Sequence, residues 1–226
     1  MPMTDGGSSV TQAQRLLARF AEDDGSAERV TRAVAADRTL SYQETVDFRK
    51  YPQTYVPALA VLLDLGLFRP GGSLRFLHLG ASHGVFCRFL QEQPGVAMAV
   101  ALDLSLSGLR HGRAWGLRDA VAADAVMLAA CRDGWADVVL AESLYVPGYW
   151  RPAAIAGSIA AAARVLRPGG SLLVQEWGFD VARDLAPEFA AAGLVEVHRL
   201  SASAPTQQGE REVTCFAFRC SDRPQP

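Results

Sequence analysis

The stretch Leu74-Arg75-Phe76-Leu77-His78-Leu79-Gly80-Ala81-Ser82-His83-Gly84-Val85 decides how the rest of the chain reads. Leu74–Leu79 is an apolar run of strand length, and a helical pattern from Val85 to Leu90 begins directly after the turn. Gly80 and Gly84 let the backbone bend sharply and lie close to a ligand that a Cβ would repel. The helix beyond the turn opens with free N–H groups, which favour an anionic or polar ligand group.

Downstream, short apolar runs alternate with helical patterns, as in a parallel sheet flanked by helices. Strands are expected at Leu74–Leu79, Ala97–Asp103, Ala120–Ala123, Asp137–Ala141 and Ser171–Glu176. Helices are expected at Val85–Gln93, Leu106–Gly116, Met127–Arg132, Arg151–Leu166 and Arg183–Ala192. Two further strands, Leu194–Ser201 and Arg211–Arg219, are joined by a polar loop without helical pattern, which predicts an antiparallel hairpin.

Upstream, the chain reads as helical. Val10, Leu16, Leu17 and Phe20 fall near one helix face, and a second short helix is expected after Ser26, with Val30 and Val34 four apart. Ser41 and Glu44 form an S-x-x-E capping box. A helix through Leu59, Leu62 and Leu63 stops near Gly66. The change of character at Pro70-Gly71-Gly72 predicts a helical N-terminal cap over 1–70, a core over 71–220 and a frayed tail over 221–226.

Two carboxylates follow strands in the core. Asp103 ends the second strand, where ligands settle outside the carboxyl ends of an open α/β sheet and an acid can accept both hydroxyls of a ribose. Asp124-Ala125 follows the third strand. Taken singly, either aspartate is equally a helix cap, and Gly169-Gly170 is equally a helix stop.

Taken in order, these features resemble the class I S-adenosylmethionine-dependent methyltransferases. The turn around Gly80 is similar to that family's motif I, [DE]-x-G-x-G-x-G, with His78 at the acid position and Ser82 at the middle glycine. Asp103 matches the ribose-binding acid, and Asp124-Ala125 the acid that approaches the adenine amino group. Ala136-Asp137-Val138-Val139-Leu140 resembles the fourth strand. Arg164-Val165-Leu166-Arg167-Pro168-Gly169-Gly170-Ser171-Leu172-Leu173-Val174 resembles the helix-turn-fifth-strand segment and is the strongest match. The resemblance spans residues 71–219. It implies a Rossmann-like α/β fold with a mostly parallel seven-stranded sheet and a C-terminal antiparallel hairpin. It also implies S-adenosylmethionine as cofactor, S-adenosylhomocysteine as product, and a cofactor site of His78, Gly80, Ala81, Ser82, Gly84, Asp103, Leu104, Asp124, Ala125 and Glu142.

Composition narrows the partners. A net charge of −2 gives no basic face for nucleic acid. No apolar run approaches a membrane span, and the polar, Gly/Ser-rich N-terminus lacks the pattern of a signal peptide. Cys87, Cys131, Cys215 and Cys220 form no CxxC pair, and with the dispersed histidines they give no metal-site spacing. The expectation is a cytoplasmic enzyme acting on a small molecule, with no nucleic-acid or membrane partner, no metal and a homodimer left open.

Methyl transfer from a sulfonium is an in-line displacement, so the protein must align the acceptor and exclude water. Glu142, at the end of the fourth strand, is the expected base, with His83 as rival and Tyr145 as a further catalytic candidate. Tyr51, Tyr55, Tyr149, Trp150, Glu176 and Trp177 are expected to face the substrate, the aromatic rings also stabilising the sulfonium by cation–π attraction. Ordinary loop packing accounts equally well for Tyr145, Tyr149 and Trp150. The N-terminal helices, with Phe48, are expected to close over the site as a lid or to form a dimer contact.

Three other readings compete. A dinucleotide fingerprint fails because Ser82 and Val85 stand where its later glycines belong. Gly80-Ala81-Ser82-His83-Gly84 is a literal G-x-S-x-G, with Asp180 and His198 following in hydrolase order, but it lacks the earlier strands and oxyanion segment of that fold. A domain of the methyltransferase fold can also catalyse a non-methylating reaction such as cyclisation.

Overall fold

The computed structural model describes residues 8–22, 26–36, 51–69, 71–126, 128–129, 131–146, 148, 150–206 and 209–221. The Ser41/Glu44 capping box, Phe48 and Tyr149 lie outside the described residues, as does the side chain of Tyr51. The N-terminal segment contains α1 (Ser9–Glu22), α2 (Ser26–Ala36), a 3-10 turn (Tyr51–Tyr55) and α3 (Val56–Asp64). The remainder runs β1 (Leu74–Leu79), α4 (Val85–Gln91), β2 (Val96–Asp103), α5 (Leu106–Ala114), β3 (Ala120–Ala122) and β4 (Ala136–Glu142). It continues with α6 (Pro152–Val165), β5 (Leu166–Glu176), α7 (Val181–Asp184), α8 (Ala186–Ala191), β6 (Leu194–Thr206) and β7 (Gly209–Cys220).

The strands form one sheet in the order β3-β2-β1-β4-β5-β7-β6. β1 to β5 are parallel, while β7 runs antiparallel to both β5 and β6. The chain builds outward from β1 to β3 and then crosses to β4. The carboxyl ends of β1 and β4 therefore flank a topological switch point, where this architecture opens a crevice.

Both faces of the sheet are covered, so its central strands are continuously buried rather than alternating. Every residue of β4 is buried. Phe76, Val138, Leu140, Leu173, Cys215 and Ala217 pack on one side with α1, α3 and α4. Leu77, Leu79, Val139, Ala141, Leu172 and Val174 pack on the other with α6 and α8. α3 follows from its own residues: Pro57 presets the first turn, and Gly66 ends the helix at φ +61, with Leu67 N–H reaching back 2.9 Å to Leu62 O. Nearly all of α3 is buried against the sheet, so a Leu59→Ala cavity there costs about 2–5 kcal/mol.

α1 buries Ala13, Leu17 and Phe20, one helical stripe. Phe20 meets Phe89 edge-on at 5.5 Å. The Arg88 guanidinium lies 4.2 Å from the Trp115 ring centre and 5.0 Å from that of Phe20, clasping α1 to the core.

Two local expectations differ. The described residues of Met127–Arg132 form turns, not a helix. Leu128 takes φ +39, which breaks a helix there; its carbonyl accepts both the Cys131 N–H and the Arg164 guanidinium at 2.9 Å, and the Cys131 carbonyl accepts from Arg164 at 3.1 Å. The expected Arg183–Ala192 helix is two short pieces, α7 and α8, divided at Leu185.

Candidate active site

The chain leaves β1 through Gly80, Ser82 and Gly84, at φ +72, +50 and +67. For serine this left-handed conformation costs about 1–2 kcal/mol, and local bonds hold it. Gly80 and Ala81 N–H donate to Leu102 O at 3.0 and 3.1 Å. Ser82 N–H donates to Asp103 Oδ2 at 2.7 Å, and its hydroxyl pairs with His83 Nδ1 at 2.8 Å. A Cβ at Gly80 would stand 2.7 Å from Leu144 Cδ2 and 3.3 Å from Glu142 O, so the turn is wedged against the end of β4.

Asp103 spans two loops. Its Oδ1 accepts from Ser105 N–H at 2.7 Å while Oδ2 holds Ser82. Each oxygen keeps a further lone pair, enough for the two hydroxyls of a ribose. Beside it Leu104 is 70% exposed, an apolar side chain free to cover a base. Asp124 is exposed, accepting from Val126 N–H at 2.8 Å, and Ala125 is buried.

On the opposite flank of the turn, Tyr55 O–H donates to Glu142 Oε2 at 2.6 Å. His78 Nε2 lies 3.2 Å from the same oxygen, outside hydrogen-bond geometry. His78 is fully buried and Glu142 is 6% exposed. Tyr55 stacks on Phe86 at 4.7 Å, the planes within 4°. The structure thus brings together Tyr55, His78 and Glu142 from the N-terminal segment, β1 and β4.

Glu176, at the end of β5, points to the other face. Its Oε1 accepts from Tyr145 N–H at 3.0 Å, and Oε2 has no partner among the described residues. Burial pushes its carboxyl up to about 8, opposed by the Tyr145 N–H and reinforced by the charge of Glu142.

The other candidates lie apart. Burial, then the charge of His111, lowers His83 to about 4, and its ring faces His111 on α5 at 6.3 Å. The Tyr145 phenol, pushed well up by burial, contacts Ser158 Oγ of α6 at 3.4 Å. Trp150 is half-buried on the α6 side, and half-buried Trp177 directly follows β5. The Ser82, Asp180 and His198 set of the hydrolase reading is not assembled. His198 pairs with Asp64 at 3.1 Å, and Asp180 caps α7 and pairs with Arg199 at 3.2 Å.

Sequence reasoning missed Gln175, the register partner of Glu142. It is 1% exposed, and neither its amide nitrogen nor its oxygen has a partner among the described residues. The available signal was an uncharged amide following Leu172-Leu173-Val174 in a strand covered on both faces.

A reversed seventh strand on a parallel sheet, a glycine turn at the switch point and an acid ending β2 define the class I S-adenosylmethionine-binding fold. A family model described as a methyltransferase domain matches residues 77–174. A SAM-dependent methyltransferase from Methanosarcina mazei aligns with TM-score 0.58 at 11% identity, over 71% of this chain and 98% of its own. A Haloferax volcanii protein solved with the Trm112 methyltransferase activator aligns with TM-score 0.59 at 14% identity, over 91% and 97%. The 16S rRNA (adenine(1408)-N(1))-methyltransferase of Catenulisporales acidiphilia, solved with cosubstrate SAM, aligns with TM-score 0.54 at 12% identity, over 69% and 89%. No curated protein matches the sequence. Residues 77–174 match a methyltransferase-domain model, and the chain has the fold of the class I S-adenosylmethionine-dependent methyltransferases.

Proposed function

We propose that this enzyme methylates a small organic acceptor, enclosed between the carboxyl ends of β4 and β5 and the N-terminal helices. The observation that carries this reading is the 2.6 Å bond from Tyr55 to Glu142, which closes the N-terminal segment over the strand ends. Such a roof suits an acceptor surrounded on all sides. The Glu142 carboxylate at the end of β4 disfavours a polyanion such as RNA. No helix among the described residues is long and apolar enough to cross a membrane, and a cytoplasmic setting accords with the small-molecule role.

In this reading Asp103 holds the ribose, Leu104 covers the adenine and Asp124 approaches its amino group. The turn Gly80–Gly84 lets the backbone lie along the cofactor, with Ala81 and Ala125 as small wall residues. Bound S-adenosylmethionine supplies an electrophilic methyl group on sulfur. Glu142 would take up the proton that the acceptor atom gives up in the transfer. His83 is a weaker choice, because a ring lowered to about 4 is a poor base and it faces α5. The Tyr51–Tyr55 turn acts as the lid, excluding water from the acceptor. Tyr145 braces the loop after β4 through Ser158, and Glu176 anchors the same loop at the Tyr145 N–H.

The test is incubation with methyl-labelled S-adenosylmethionine and either a small-molecule extract or total RNA. Label entering the low-molecular-weight fraction upholds the assignment. Label confined to RNA, or to protein, replaces it with a macromolecular acceptor.

A further inference from the structure

Ser143, the residue after β4, takes φ +50. A serine adopts this left-handed conformation at a cost and keeps it where neighbouring bonds hold it. Its own N–H donates to Gln175 O at 3.0 Å. Tyr145 N–H donates to Glu176 Oε1 at 3.0 Å, and the Leu144 N–H bonds the same carboxyl. Glu176 therefore gathers two consecutive amides of a strained loop. It is 1% exposed and Tyr145 is fully buried, so solvent cannot take the place of the carboxyl. Without it the Tyr145 N–H would be left unpaired in the interior. Oε2 has no partner among the described residues, so among them the carboxyl bonds this loop alone.

What the loop holds in place is Leu144. A Cβ on Gly80 would stand 2.7 Å from Leu144 Cδ2 and 3.0 Å from its Cγ, so this side chain backs the Gly80–Gly84 turn from the β4 side. From the β2 side, the Gly80 and Ala81 N–H groups bond Leu102 O at 3.0 and 3.1 Å. The turn, left-handed at Gly80, Ser82 and Gly84, is held between these two supports. Loss of one lets its backbone drift toward the space that Leu144 fills. A chain of contacts thus runs from Glu176 at the end of β5, through the Tyr145 and Leu144 amides, to the turn after β1.

We propose that Glu176 is a positioning residue for the Gly80–Gly84 turn, acting through the Ser143–Tyr145 loop and the Leu144 side chain and not by touching a ligand. Its effect on ligand affinity rests on the cofactor assignment; its effect on the turn does not. Only an acceptor oxygen is required of it. Burial raises the carboxyl to about 8, so near neutral pH Oε1 is an uncharged acceptor that a glutamine reproduces. The strain at Ser143 offers a second handle on the same route. Glycine takes φ +50 freely, so Ser143→Gly lessens what Glu176 has to hold.

Amide hydrogen exchange at Gly80, Ala81 and Ser82 and calorimetric titration with S-adenosylhomocysteine, both at neutral pH, test this. Glu176→Met keeps the length of the side chain and removes the acceptor. It should speed exchange at these amides about tenfold and weaken S-adenosylhomocysteine binding about tenfold. Glu176→Gln should stay within about twofold of the wild type in both. Adding Ser143→Gly to Glu176→Met should recover most of each loss, a coupling that a general loss of stability does not produce. Wild-type behaviour of Glu176→Met overturns the proposal. So does exchange accelerated equally along all the strands, a glutamine variant as impaired as the methionine one, or no recovery in the double variant. If Glu176→Met does not fold, Leu144→Ala decides, because it removes the wedge from a half-buried loop position. Faster exchange at the turn then upholds the route, and unchanged exchange overturns it. Should the wild type bind no S-adenosylhomocysteine, the cofactor assignment fails by itself, and the exchange rates alone judge Glu176.

Discussion

Tyr55 donates a 2.6 Å hydrogen bond to Glu142, a residue 87 positions further along the chain. The same phenol ring stacks on Phe86, in the helix that follows the cofactor turn. One side chain therefore couples the N-terminal segment, the end of β4 and the first helix of the core. Tyr55→Phe keeps the stacking and removes only the donor. Hydrogen bonds to charged groups contribute about 1.5–3 kcal/mol, so urea denaturation should register a loss of that size. A change under about 0.5 kcal/mol, within the range of a surface substitution, would mean that Glu142 does not depend on the roof.

Asp103 has a structural and a ligand-binding task. It holds the Ser82 and Ser105 N–H groups while keeping lone pairs for a ribose. Asp103→Asn retains one acceptor oxygen and should lower the melting stability by about 1–3 kcal/mol. Its affinity for S-adenosylhomocysteine should fall about ten- to a hundredfold. Calorimetry on the folded variant reads the second effect separately from the first, and wild-type affinity would remove the ribose assignment.

Leu104 separates the two effects more cleanly. A side chain 70% exposed packs on little, so Leu104→Ser should change stability by no more than about 0.5 kcal/mol. Covering an adenine would bury it, so the substitution should weaken adenosyl binding about tenfold. Equal affinities in wild type and variant would place the base elsewhere.

The parallel core is legible because a strand buried on both faces has few ways to be written. The apolar run Leu74–Leu79 coincides with β1, and Asp103 and Glu142 fall at strand ends, where position alone marks them. The hairpin is harder. Ser201 and Ser203 are exposed while Ala204 is buried and Ala202 half-buried, so β6 continues to Thr206 on an alternation too weak in hydrophobicity to stand out. The Met127–Arg132 region defeats a helical reading because Leu128 takes φ +39, held by a bond from Arg164 of α6 to its carbonyl. Gln175 is illegible for a similar reason: its unpaired amide depends on the β4 register and the covering helix, which are tertiary facts. The roles of His83 and Tyr145 turn on side-chain direction, toward α5 and α6, which spacing does not encode.

Glu176 makes stability depend on pH in a window that can be isolated. Its carboxyl stands at about 8 in the folded chain against 4.5 ordinarily, because burial disfavours the charge. Between those values the native state keeps a proton that the unfolded chain has lost, so stability falls as pH rises, by at most about 1.4 kcal/mol per unit. His83 acts with the opposite sign: lowered to about 4 from 6.5, it stays neutral while the unfolded chain protonates, so stability falls as pH drops below 6.5. The two slopes oppose each other from 4.5 to 6.5, leaving Glu176 alone between 6.5 and 8. Denaturant titrations across that upper interval should show a declining stability in the wild type and a flatter profile in Glu176→Gln, whose amide has no proton to lose. Parallel profiles would mean that Glu176 is already ionised in the folded protein, and that the strand ends carry two charges rather than one.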